Sequence, residues 1–107
     1  MKTKITITPK IAQKSGKFTD NRGCLMATAL KHRFPNAEYV NVGTTDFYLN
    51  KTQEKHVDNP IFPIPLNIQQ KVRKAYGDDE SLSGFPVVKK SFSFTINIPK
   101  ELLDKIK

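Results

Sequence analysis

The chain has 107 residues, seven Phe, no Trp and a formal net charge of +8. That length fits one domain, residues 1–107, able to bury about two-thirds of the surface its unfolded chain exposes. A single cysteine, Cys24, excludes an intramolecular disulfide and a cysteine-based zinc site, and no stretch approaches the roughly 20 apolar residues of a membrane span.

Charge is unevenly spread: residues 1–40 carry +6, residues 41–80 carry −1 and residues 81–107 carry +3. If the two basic ends meet in one sheet, they form one basic region suited to nucleic acid, an acidic protein or an anionic lipid surface. The amino terminus alternates charged and apolar residues and lacks the apolar run of about 7–15 residues that a secretory signal needs. With no disulfide available, a reducing, cytoplasmic setting is expected, with no membrane partner.

Residues 2–8 read as a strand with Ile5 and Ile7 on one face and Lys4, Thr6 and Thr8 on the other. Thr8-Pro9 reads as the cap and first position of a short helix, which ends near Ser15-Gly16. A polar loop, 17–23, leads to a helix over about 24–34, with Met26, Ala27, Leu30 and Phe34 on one side, Ala29 at the margin and Pro35 as its stop. A hairpin follows, in which Val40 and Val42 precede the turn Gly43-Thr44-Thr45-Asp46 and Phe47 and Leu49 follow it.

Residues 51–65 form a long connection. Its prolines, Pro60, Pro63 and Pro65, hold Ile61, Phe62 and Ile64 extended, as an edge or a strap over the core. A helix over about 66–76 stacks Ile68, Val72 and Tyr76, with Gly77 as its stop. After a loop over 78–88, Phe92, Phe94, Ile96 and Ile98 alternate strictly with polar residues, which predicts a strand with one buried face. Pro99 ends that strand, and residues 100–107 close the chain as a short helix. The expected fold class is α+β: an antiparallel or mixed sheet of about four strands, with two main helices on one face.

Cys24 opens a helix beside Arg22, and helix N-termini and cations lower a thiol pKa. A nucleophilic thiol also needs a base. His32 lies two turns away, roughly 12 Å along the axis, and nothing local brings His56 to it. Cys24 therefore reads as a small thiol beside the core. Asp78-Asp79-Glu80 lacks the alternating spacing of a calcium loop, and Asp46, Glu54 and Asp58 are too scattered for a catalytic pair. The chain is read as a non-enzyme with no catalytic residue, metal or cofactor.

The basic residues carry the functional expectation. Asn67, Gln70, Lys71 and Lys74 form one helix face that can donate to phosphates and base edges. If the strands form one sheet, its wet face carries Lys2, Lys4, Thr6, Tyr39, Asn41, Tyr48, Ser93 and Thr95, where two tyrosines can stack unpaired bases. Lys10, Lys89 and Lys90 would extend the same region. The anion-binding set is thus Lys2, Lys4, Lys10, Lys71, Lys74, Lys89 and Lys90 with Tyr39 and Tyr48.

Phe94-Thr95-Ile96-Asn97-Ile98-Pro99-Lys100-Glu101-Leu102-Leu103 resembles the strand and helix start of ribbon-helix-helix DNA-binding proteins. That fold needs a second helix, so the segment is read as a core strand with a capping helix. Cys24-Leu25-Met26-Ala27-Thr28-Ala29-Leu30 and the late Phe92-Ser93-Phe94 strand resemble those of small bacteriophage-encoded proteins. The proline connection and the longer carboxyl end depart from that pattern. The resemblance implies an accessory protein acting on a host or phage macromolecule, in the host cytoplasm, with inhibition of a host system as one mode. The alternative is a protein-interaction or structural accessory that uses the 59–65 strap or a sheet edge.

Overall fold

A computed structural model describes residues 1–50, 61–77 and 84–107. The expectations placed on Glu54, His56, Asp58, Pro60 and Asp78-Asp79-Glu80 lie outside these residues.

The described elements run β1 (Lys2–Ile7), α1 (Pro9–Gln13), α2 (Leu25–Arg33), β2 (Tyr39–Val42), β3 (Asp46–Asn50), β4 (Ile61–Pro63), α3 (Leu66–Ala75), β5 (Phe92–Asn97) and α4 (Lys100–Ile106). The α+β class holds, but the strands form two antiparallel sheets rather than one of four strands. The first is β1–β5 and the second is β2–β3–β4.

The chain ends do meet. β1 and β5 pair so that Ile5 faces Phe94 and Thr3 faces Ile96 on the buried side. Lys2 faces Asn97, Lys4 faces Thr95 and Thr6 faces Ser93 on the exposed side. Aromatic and β-branched cross-strand pairs of this kind stabilise a two-stranded ribbon. In the second sheet, Phe47 stacks on Phe62 with ring centroids 5.4 Å apart, which fastens the proline strap to the hairpin as an edge strand.

The split into two sheets follows from α2. Leu25, Met26, Ala27, Ala29, Leu30 and Phe34 are all buried, an arc of roughly 200° at 100° per residue. A helix lying on one face of one sheet needs a narrower stripe. This helix instead contacts both β1 and β2, so each sheet covers part of it. Buried side chains from both sheets and all four helices join in one apolar cluster.

The start of α2 is built by a tight turn. Arg22 N–H donates to Asp20 Oδ1 at 3.1 Å, and Cys24 N–H donates to the Asp20 carbonyl at 2.9 Å. A Cβ on Gly23 would stand 2.4 Å from Asp20 Oδ2, so any larger residue there would have to displace the Asp20 carboxylate that accepts from Arg22. At α1, the Thr8 hydroxyl accepts from Ile11 N–H with Pro9 at the first turn, as the sequence predicts. Among the described residues, no helix is long and apolar enough to cross a membrane.

Candidate functional site

Four of the nominated lysines are brought together. In α3, Ile68 and Val72 point inward with Tyr76 just beyond the helix, and this spacing leaves Lys71 and Lys74 exposed. Gly77, at φ +94°, takes the left-handed conformation that lets the chain leave the helix. The returning segment is pinned to the end of α3 by Val87 N–H, which donates to the Ala75 carbonyl at 2.8 Å. Pro86 and Val88 turn inward, while Phe85 and Val87 turn out to solvent.

Between α3 and this segment lies a groove of about 760 Å³, lined by Lys71, Lys74, Lys89 and Lys90 together with Phe85, Val87 and Phe92. Among the described residues, no carboxylate lines it. None of the four lysines forms an ion pair with a described residue; the ion pair found among the described residues lies away from the groove and joins Lys107 to Asp104 at 3.3 Å. Lys71 Nζ stands 5.5 Å from the centroid of the Phe92 ring, which is only half-buried at the start of β5. Like charges gathered on one groove, with no counter-charge among the described residues, favour a positive potential for an anion to neutralise.

The other nominated residues lie elsewhere. Lys2 and Lys4 sit on the exposed face of the β1–β5 ribbon and do not line the groove, and Lys10 is exposed on α1. Tyr39 and Tyr48 belong to the second sheet, so the single basic, hydroxylated surface expected from one sheet is not assembled. Both tyrosines are half-buried. Arg22 lies over the Tyr39 ring at 5.8 Å, and Asn41 Nδ2 donates to its hydroxyl at 3.2 Å. The Tyr39 ring therefore already has a cation partner.

Cys24 faces a second cleft of about 330 Å³, whose apolar walls include Met26, Val42, Ile64 and Val72 and whose rim holds Arg73. The Arg73 guanidinium lies 5.9 Å from the Phe18 ring. Burial pushes the Cys24 thiol above its ordinary value. The amides of Ala27 and Met26 pull the other way without overcoming it, and the thiol closes no cap hydrogen bond. This reverses the lowering expected from a helix start, because desolvation outweighs the dipole. Among the described residues, no histidine or carboxylate lines the cleft. Among the described residues, no three His, Cys, Asp or Glu side chains come together as a metal set.

Reading the sequence missed Phe85. It fell in a span read as loop, yet an apolar Phe-Pro-Val-Val run directly before Lys89-Lys90 is itself a signal of a fixed, partly exposed segment. No protein-family model matches the chain, nor does any curated protein or solved structure.

Proposed function

We propose that this chain is an accessory binding protein, of the phage-encoded type it resembles, that holds an anionic macromolecule in the groove between α3 and residues 85–92. The polymer is nucleic acid or nucleoprotein, met in the cytoplasm. The observation that carries the reading is the lining of the groove: four lysines, no carboxylate among the described residues, and exposed apolar side chains between them. Lysines of this kind replace phosphate counterions, and release of those ions drives polyanion binding.

The test is fluorescence anisotropy with labelled nucleic acid at low and physiological salt. Reversing Lys71 and Lys89 to Glu together should abolish binding, while reversing Lys2 and Lys4 should leave most of it. Equal loss in both double variants would describe diffuse charge rather than a built site, and loss in the Lys2 and Lys4 variant alone would move the site to the ribbon face. Absence of binding at low salt in the unaltered protein would reject the reading.

A protein partner is the second reading, and one observation favours it. Ile61 and Leu66 are both more than half exposed, on either side of the Pro63-Ile64-Pro65 strap. If nucleic acid is ignored, a pull-down that compares the unaltered protein with the variant in which both are changed to Lys is the next step.

A further inference from the structure

The polymer's class follows from one side chain in the groove. Phe85 is 67% exposed, although a phenylalanine gains stability by leaving water. Its position is fixed rather than incidental. The Val87–Ala75 hydrogen bond holds the segment against α3, and inward-facing Pro86 and Val88 direct Phe85 to the solvent side. Phe92, the other ring in the groove, already has the Lys71 ammonium over it. Phe85 has no such ring partner among the described residues, and most of its surface is left to solvent.

An open ring among lysines fits one kind of polyanion better than others. A duplex presents phosphates and the edges of stacked bases, so an isolated ring finds no π-face there. An unpaired strand presents both phosphates and base faces, and every base has a face that an aromatic ring can stack upon. We infer that the groove takes single-stranded nucleic acid. Phe85 stacks on one unpaired base, while Lys71, Lys74, Lys89 and Lys90 contact the backbone on either side. The inference rests on the polyanion reading given above.

The experiment compares four labelled probes of equal length, about 12 nucleotides each, within the span that single-strand grooves engage. They are a mixed-sequence DNA strand, its RNA counterpart, the blunt duplex and an abasic strand that keeps the phosphates. The single strands, DNA or RNA, should bind at least tenfold more tightly than the duplex and the abasic strand. Phe85→Ala should weaken single-strand binding by about tenfold and leave abasic binding unchanged. The exposure of Phe85 makes loss of fold an unconvincing cause, and a thermal melt checks it.

Phe85→Trp supplies an independent readout, because the chain contains no tryptophan. Stacking should quench that fluorescence with the mixed strand and not with the abasic one. Equal affinity for all four probes, unmoved by Phe85→Ala, would overturn the single-strand inference and leave polyanion binding standing. No binding to any probe at low salt would overturn both.

Discussion

The Tyr76 hydroxyl accepts a hydrogen bond from the backbone N–H of Leu25 at 2.9 Å. The same hydroxyl donates to the Gly16 carbonyl at 2.8 Å. A helix start leaves its first amides unpaired, and the Cys24 thiol closes no cap bond at α2. A tyrosine 51 residues away satisfies that amide instead. The Phe18 ring packs edge-on against Tyr76 with centroids 5.4 Å apart, which fixes the phenol in place. Removing only the oxygen, by Tyr76→Phe, leaves the buried Leu25 donor and the part-buried Gly16 acceptor without this partner. The cost should be about 1–3 kcal/mol, read as a lower denaturant midpoint at unchanged slope. A smaller loss would mean that water reaches Leu25.

The same phenol sets a pH limit. Burial pushes the Tyr76 pKa up from its ordinary value of 10.0 to about 12. Above pH 10 the unfolded chain releases this proton while the folded chain keeps it, so the unfolded state binds fewer protons. Stability then falls as pH rises. The contribution of Tyr76 is complete below pH 10 and is lost between there and about pH 12. Unfolding measured from pH 9 to 12 should show a steeper decline in the unaltered protein than in Tyr76→Phe. Parallel curves would place the phenol in water.

On β5, Phe94 and Phe92 share a face but not an environment. Phe94 is buried opposite Ile5, whereas Phe92 is half-buried at the strand start, under Lys71. Phe94→Ala should cost about 3–5 kcal/mol, the usual range for a buried phenylalanine, and Phe92→Ala clearly less. Equal costs would mean that the groove end of the strand is as well packed as its middle.

Those two residues also mark how far the sequence could be read. Alternation over residues 92–98 names the buried face, and Thr8-Pro9, Pro35 and Gly77 mark helix ends, because each is a local property of backbone and side chain. Which strands pair is not local. A period of two is the same whether β5 joins β1 alone or a four-stranded sheet, so the two-sheet arrangement was hidden. One trace of it was present: Leu25 and Ala29 lie off the main apolar stripe of α2, and they are buried because two sheets, not one, flank the helix. The groove was half legible. Its lysines were named, but their meeting depends on Val87 bonding to Ala75, which no spacing reveals.

Cys24 should behave as a structural thiol. It is buried, and burial raises its pKa. At pH 8 its alkylation should be slow in the folded protein and fast in denaturant. Cys24→Ala should fold and keep its affinity for polyanion. Rapid modification of the native protein, or loss of binding in a folded Cys24→Ala variant, would show a thiol that takes part in function.

Salt dependence can count the lysines that touch phosphate. Each backbone contact to a single strand contributes a slope of roughly −0.7 in a plot of log affinity against log salt. Four lysines line the groove, so raising salt from 50 to 200 mM should weaken binding about 50-fold. Neutralising one of them, as Lys74→Gln or Lys90→Gln, should lower both the affinity and the slope, the latter by about 0.7. Lys2→Gln and Lys4→Gln should leave the slope unchanged, because the ribbon face that carries them is separate from the groove lining. Phe85→Ala should lower the affinity and leave the slope alone, since stacking releases no counterion. A slope that falls equally with every lysine removed, on ribbon and groove alike, would describe a diffuse cloud of charge. A slope that answers only to Lys71, Lys74, Lys89 and Lys90 would describe a built site.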